Sequence, residues 1–371
     1  MLDFTSALYL GMRHPSRSLR PWSQFTTGVP AALSSPPDSR LVAHELAVLQ
    51  GCEEGVLGTS TLHQFWDLFG ILARRHVAIH VDSGAYPIAR WGVERAEAHG
   101  VPVREFAHHN LEALEQGLRR DARGNFVPLL VTDGFCTGCG RPAPLAAYLD
   151  RARAHGGWLI IDDTQALGIF GHSPAPDAPY GRGGGGMLAR NRIGGPDVLV
   201  VCSLAKAFGA PLAVLSGCKS AIKAFEAKSE TRMHCSPPSV AAVRAAEHAL
   251  TLNRLYGDSL RSHLASLVNR FRGQAAHAGF RFSGGLFPFQ TLQPSASFDM
   301  VSLYEQLRKQ GIQTVLHEAR NGHGPRVSFL ITARHAPEEV DKATNALIQA
   351  RARQHPPVRL EAKAHERRAC I

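Results

Sequence analysis

The chain has 371 residues, 44% of them hydrophobic, and a formal charge of +10 at neutral pH. That is enough apolar material for one large domain and a smaller one, and no apolar run reaches transmembrane length. The last 21 residues hold six Lys/Arg against two Glu, so +4 of the +10 sits in a tail. No basic strip is interleaved with aromatics and no helix-turn-helix or RNA-binding signature is present, so the charge reads as solvated surface rather than a nucleic-acid face. Seven cysteines, odd in number and scattered, point to a reduced, cytoplasmic protein. The start, "MLDFTSALYLGMRHPS", lacks a basic segment ahead of its apolar part and reads as mature protein rather than a signal peptide.

Residues 1–40 read as irregular, rich in Ser and Pro. "SRLVAHELAVLQG" (39–51) has leucines near helical spacing and a Gly to cap it. Strand-like and helical segments then alternate. "HVAIHVD" reads as a strand, "PIARWGVERAEAHG" as a helix, "VPVREFA" as a strand and "NLEALEQGLRR" as a helix. "FVPLLVTDG" is again strand-like, "PLAAYLDRARAHGG" helical, and "WLIIDD", "VLVVCS" and "LAVLSG" strand-like. This alternation predicts a mostly parallel sheet covered by helices. "GRGGGGMLARNRIGG" (181–195) reads as a flexible loop. It lacks the Gly-Lys-Ser/Thr ending of a P-loop and does not lie between a strand and a helix, so it carries no nucleotide role. Beyond residue 240 come long helices, then short strands ("FPFQTLQ", "IQTVLHE", "RVSFLIT") and two further helices, a composition that suits a small α+β domain.

In open α/β sheets the site lies beyond the carboxyl ends of the strands. There the sequence offers Asp133 and Thr137 after "LLVT", Asp162, Asp163, Thr164 and Gln165 after "WLII", and Ser203 and Lys206 after "VLVVC". Taken singly, a lysine after a strand is a solvated turn residue and Asp-Asp-Thr a cap or turn. Together they suit pyridoxal 5'-phosphate, which needs a lysine for its aldehyde, a carboxylate for its pyridine nitrogen, a flat group on its ring and N–H and hydroxyl donors for its phosphate. Lys206 and Asp162 fit the first two needs. "GTSTLHQFWD" (58–67) places Thr59, Ser60 and Thr61 ahead of a helical run and fits the last.

The stretch 131–171, "VTDGFCTGCGRPAPLAAYLDRARAHGGWLIIDDTQALGIFG", closely resembles the core of the α-oxoamine synthases, among them aminooxononanoate synthase and aminoketobutyrate ligase. "LVVCSLAKAFGA" is similar to their lysine segment and "LDFTSALYLGMRHP" to their N-terminal one. "REFAHHNLEAL", "CSPPS" and "TARHAPEEVDKA" also find counterparts. The resemblance implies a fold-type I pyridoxal-phosphate transferase, α/β, with a mostly parallel central sheet, helices on both faces and a small C-terminal α+β domain. It implies an N-terminal segment (1–40) near the active site, a large cofactor domain (41–250), a small domain (251–352) and a basic tail (353–371). It makes Lys206 the Schiff-base lysine and Asp162 the partner of the pyridine nitrogen. Ser60, Thr61 and Ser203 become phosphate-site residues, and Thr137 lies near the ring oxygen. Ser236 would reach a neighbouring subunit's phosphate, which implies a homodimer.

The departures are as informative. The family's histidine in Asp-x-x-His is Gln165, which can hydrogen-bond but not act as an acid or base. Its ring-stacking histidine falls at Tyr86. Its second arginine before Ala-x-His, read as the carboxylate clamp, is Ser328 in "PRVSFLITARH", and Ser cannot replace a bidentate guanidinium. The expected reaction is condensation of an amino-acid-derived carbanion with an acyl thioester. The alternative is transamination of an amine or ketone without the usual α-carboxylate, and a non-catalytic partner subunit is a third reading. Cys136, Cys139 and the "HH" of "FAHHN" are expected to be metal-free, since Cys-Thr-Gly-Cys alone lacks a second ligand pair.

Overall fold

The computed structural model describes residues 1–295, 299–319 and 324–354, side chains being considered up to 351. The basic tail expected at 353–371 therefore lies essentially outside the described residues. The N-terminal strand β1 (Leu2–Asp3) is followed by α1 (Ser39–Gln50), capped by Gly51 at φ +83° as the sequence predicts. Next come β2 (Glu54–Gly58), α2 (Thr61–Leu72), β3 (Val77–Asp82), α3 (Pro87–Ala98), β4 (Val103–Phe106) and α4 (Leu111–Ala122). β5 (Val127–Asp133), the short pair β6 (Phe135–Cys136) and β7 (Arg141–Pro142), α5 (Leu145–Ala154), β8 (Trp158–Asp162), α6 (Gly186–Asn191), β9 (Val198–Ser203) and β10 (Ala213–Gly217) follow.

Seven of these strands form one sheet in the order β2-β10-β9-β8-β5-β3-β4. β4, β3, β5, β8 and β9 are mutually parallel, while β10 runs antiparallel to both β9 and β2. The chain between Ser203 and Ala213 is too short for a crossover helix, so it can only turn back as a hairpin. Lys206 sits in that turn. Both faces of the sheet are buried, and its central strands accordingly read as continuous apolar runs. Ile79, Val81, Leu129, Val131, Ile160, Leu199 and Val201 pack against α2 and α3 on one face. Leu130, Leu159, Ile161, Val198 and Val200 pack against α1, α5 and the long helix below on the other. β2 went unnoticed in the sequence because only Val56 and Leu57 are apolar between two glycines.

After α7 (Lys219–Lys228) and α8 (Glu230–His234), a single 38-residue helix, α9 (Val240–His277), crosses from the large sheet to a small one. The small sheet has the order β11 (Phe282–Ser283), β12 (Phe289–Leu292), β15 (Pro325–Leu330), β14 (Val315–Glu318), with α10 (Met300–Lys309) and α11 (Pro337–Gln354). β1 pairs in parallel with β13 (Ile312–Gln313), and Phe4 stacks on His335 and packs against Phe329. The N-terminal segment is thus tied to the small sheet before it enters the cleft with Tyr9, Leu10 and Met12 buried.

The Gly-rich segment is not flexible. Gly184 has φ +76°, and a Cβ there would lie 2.4 Å from Arg261 Nη1. Arg261, buried on α9, donates to Gly168 O, Asn253 Oδ1 and Asp258 Oδ1 at 2.8, 2.9 and 2.6 Å. Asp258 accepts the Gly183 N–H and Asn253 donates to Gly183 O. On the other side, Asp163 Oδ2 accepts the Met187 N–H at 2.7 Å. The glycines admit these buried partners; they do not loosen the loop. Replacing Arg261 by Met leaves buried carbonyls and Asn253 unpaired. Urea titration of R261M should show a loss of about 3 kcal/mol, and limited trypsin digestion should open the chain at Arg182.

Candidate active site

The strand order reverses direction between β3 and β5, and the crevice at such a point, beyond the carboxyl ends of the strands, is where α/β sheets hold ligands. Asp82, Asp133, Asp162 and Ser203 end β3, β5, β8 and β9, and registration sets Asp133 beside Asp162. Asp133 Oδ1 accepts the backbone N–H of Tyr86 at 2.9 Å. This fixes Tyr86 at the start of α3, with its ring half exposed toward the cleft mouth.

Asp162 is buried, and one of its oxygens accepts the Thr164 N–H at 3.0 Å. Burial pushes its carboxyl up from the usual range, and the nearby Lys206 amine opposes the rise. Burial likewise pulls the Lys206 amine below its ordinary value, and Asp162 partly restores it. Low dielectric disfavours each charge and their mutual attraction favours both. The amine is thus less basic than a solvated lysine, the direction that addition to an aldehyde favours. Thr164 Oγ1 accepts the Ser203 N–H at 3.0 Å, locking the mouth of β9 to the segment after β8. The Gln165 carbonyl accepts the Tyr9 hydroxyl at 3.0 Å. The Tyr9 phenol is raised far above its ordinary value by burial and then by Tyr86 nearby, so Tyr9, Gln165 and Tyr86 share one wall.

Ser60 caps α2, accepting the His63 N–H, and its hydroxyl lies 2.8 Å from His63 Nδ1. Thr61 begins the helix, whose first-turn N–H groups offer an anion site. Thr137 is half buried in the turn after β6. Ser236 is exposed and lines a groove with Thr59 and His63 of its own chain. Asp67, buried on α2, accepts the Thr231 hydroxyl at 2.6 Å and the Ser229 hydroxyl, so α8 and the Ser236 segment are held against α2. Ser328 is buried: its hydroxyl lies 2.7 Å from Thr291 Oγ1 and 2.8 Å from His317 Nε2. A hydrogen-bonded cluster of two hydroxyls and an imidazole occupies the position of the expected clamp.

The structure therefore gathers Asp162, Lys206, Ser203, Gln165 and Tyr86, puts Ser60 and Thr61 on one helix start, and sets Ser236 at the groove beside it. Sequence reasoning had not picked out Tyr9 or His63. Tyr9 stands in the resembling "LYLG" stretch, but nothing local directs its hydroxyl to a residue 156 positions away. Cys136 and Cys139 also have company that spacing does not reveal, since His108 Nε2 lies 3.2 Å from Cys139 Sγ.

A partly buried lysine beside a buried carboxylate, beyond adjacent strands, with a helix start that offers N–H groups to an anion, fits pyridoxal phosphate in kind of donors. Fold and site define a pyridoxal-phosphate-dependent transferase of fold type I. The family model described as aminotransferase class I and II matches residues 40–347. The 8-amino-7-oxononanoate synthase of Sodalis glossinidius (strain morsitans) is 30% identical over 359 residues, covering 94% of this chain and 88% of that protein. The enzyme of the same name from Pseudescherichia vulneris is 27% identical over 355 residues, covering 93% and 88%. Among solved structures, serine palmitoyltransferase from Sphingomonas wittichii superposes with a TM-score of 0.82 at 16% identity, covering 95% of this chain and 87% of that one. 8-Amino-7-oxononanoate synthase from Francisella tularensis gives 0.72 at 16% identity, covering 94% and 97%. The chain belongs to the aminotransferase class I and II family, on its α-oxoamine synthase branch.

The opposed shifts at Lys206 carry a test. Asp162→Asn removes the attraction that raises the amine, so the Lys206 titration should move to lower pH. The measurement is the pH midpoint of Lys206 modification by a small aldehyde with borohydride on cofactor-free protein, read by peptide mass spectrometry. A midpoint unchanged or shifted upward contradicts the pairing.

Proposed function

We propose that this chain joins an amino-acid-derived carbanion to the acyl group of a thioester, with Lys206 as the residue that holds the cofactor. The observation that carries the reading is the electrostatic pairing of buried Asp162 with the partly buried Lys206, in a chain that resembles oxononanoate synthases over nearly its full length. When bound, pyridoxal phosphate supplies an electron sink for the carbanion. Asp162 would face the pyridine nitrogen and favour its protonated form. Gln165, oriented by the Tyr9 hydroxyl, would donate its amide to the ring oxygen without moving a proton. Tyr86 would cover the ring, Ser60, Thr61 and Ser203 would hold the phosphate, and Thr137 would lie near the ring oxygen. Lys206 would serve as the base at the substrate's α-carbon, a task its lowered basicity suits.

A specific observation favours a second reading, transamination of a substrate without an α-carboxylate. The Ser328–Thr291–His317 cluster presents neutral hydroxyls where a charged fork would bind a carboxylate. The two reactions differ in product. Condensation releases one free thiol per acyl thioester consumed, whereas transamination releases none and requires an oxo acceptor. Thiol release should appear with the wild type and an amino-acid plus acyl-thioester panel and vanish in Lys206→Ala. The same substitution should abolish the cofactor's visible absorption. A colourless wild type after reconstitution overturns both readings, and amino transfer without thiol release selects the second.

A homodimer is supported by apolar surface beside the site. Leu62, Trp66, Tyr86, Trp91 and Met233 are 37 to 47% exposed around the α2–α3 face and Ser236, more than isolated surface residues need. Light scattering should give twice the chain mass, and Trp66→Glu with Trp91→Glu should shift it toward the monomer. Among the described residues no helix is long and apolar enough to cross a membrane, and with six described cysteines unpaired we infer a cytoplasmic location.

A further inference from the structure

Away from the Asp162–Lys206 pair, four metal-ligating side chains meet where two loops cross. The loop after β4 carries His108 and His109, and the loop after β5 carries Cys136-Thr137-Gly138-Cys139-Gly140. One ligand atom from each of His108, His109 and Cys139 falls within 4.8 Å of the others. The Cys136 sulfur accepts the Cys139 N–H at 3.5 Å and lies within hydrogen-bonding reach of His108 and of the Cys139 sulfur. We propose that Cys136, Cys139, His108 and His109 form a tetrahedral Cys2His2 zinc site that pins the Thr137 loop.

Four features support metal here. The Cys-x-x-Cys spacing is that of structural zinc sites, and two thiolates with two imidazoles are the donor set zinc takes. Gly140, at φ +69°, lets the second cysteine turn back, and a Cβ there would collide with Gly284 N at 2.4 Å. His108 gives its other nitrogen to Asp82 at 2.6 Å, which fixes the ring with Nε2 toward sulfur. Asp82 is itself held by the Gly84 N–H, the His109 N–H and the Tyr148 hydroxyl at 2.7, 3.2 and 3.0 Å. A buried carboxylate orienting a histidine is the usual second layer of a zinc ligand. His109 adopts φ +58°, a backbone cost that a ligand role explains.

His108, His109 and Cys139 already lie within 4.8 Å of one another, and Cys136 would turn in from the start of the same loop to complete the set. Zinc holding sulfur at about 2.3 Å and nitrogen at about 2.0 Å separates the two by about 3.5 Å in tetrahedral geometry. The His108–Cys139 pair at 3.2 Å needs only a small opening. Binding displaces the two thiol protons and any proton on the imidazoles to solvent, leaving a site with no net charge. A Cys136–Cys139 disulfide would use neither histidine and would leave the Asp82 arrangement and the His109 backbone without purpose. The metal site does not depend on the reaction proposed above.

The test uses holoenzyme purified under reducing conditions from zinc-supplemented growth, with metal measured by plasma mass spectrometry. About one zinc per chain is expected. Cys139→Ser and His108→Asn should each lower it to under about a tenth, whereas Cys218→Ser should retain it. Cobalt loaded in place of zinc should give intense tetrahedral d–d bands in the red, clear of cofactor absorption, and this wild-type readout holds even if a variant fails to fold. Under about a tenth of a metal per chain, or metal content indifferent to Cys139→Ser, overturns the site. So does wild-type protein that binds no cobalt and is lighter by two hydrogen atoms because a Cys136–Cys139 disulfide has formed.

Discussion

The cleft depends on holding the partly buried Lys206 amine near the buried Asp162 carboxylate. Either charge alone would be costly in the interior, and paired they offset one another only if geometry is held. The fold holds it through the reversed strand β10. Because β10 returns directly from β9, the lysine rides on a tight hairpin turn closed by Leu204 N–H to Leu212 O at 2.9 Å and Ala210 N–H to Leu204 O at 3.1 Å. The carboxylate rides on the end of the neighbouring strand β8, clamped by the Thr164 N–H. A strand end and a hydrogen-bonded turn are thus set side by side.

A second buried carboxyl stands next to the first in sequence. Asp163 points away from the cleft into the Gly-rich loop, and burial, with Asp162 adding to it, pushes its carboxyl up to about 8. Its folded-state value exceeds the unfolded one, so the folded chain holds the extra proton. The stability associated with that proton is present at low pH and is lost as pH rises toward about 8. A protonated Asp163 also spares Asp162 a like charge next door. Arg261 supports the other side of the same loop, so the segment that separates cleft from α9 is held by groups whose removal would be felt at Asp162.

Much of the fold was legible because its strands are buried on both faces. Runs such as "VLVVCS" and "WLIID" admit little else between Gly- and polar-rich segments, and the α1 cap at Gly51 is a local signal. Lys206 and Asp162 were legible for the same reason, since a charged residue at the end of such a run invites explanation. What was not legible depends on long-range contact. "GRGGGGMLARNRIGG" looks mobile by composition, yet its glycines make room for Arg261 and Asp163. β10 looks like one more parallel strand until the shortness of its connection is weighed. The hydroxyl that orients Gln165 comes from Tyr9, and the histidines facing Cys136 and Cys139 come from a different loop; neither spacing nor periodicity carries that information.

The substituted residues follow a spatial logic. Lys206 and Asp162 match the resembling family's pattern, whereas Gln165, Tyr86 and Ser328 depart from it. Gln165 and Tyr86 form one wall with Tyr9, and each can donate or stack but none exchanges protons near neutral pH. Ser328 faces Thr291 and His317 on the small sheet, where its 0% exposure leaves no space for a guanidinium without repacking. The cofactor half and the substrate half of the cleft are thus built differently: burial lowers the basicity of Lys206 on the large-domain side, and a packed Ser328–Thr291–His317 cluster stands on the small sheet.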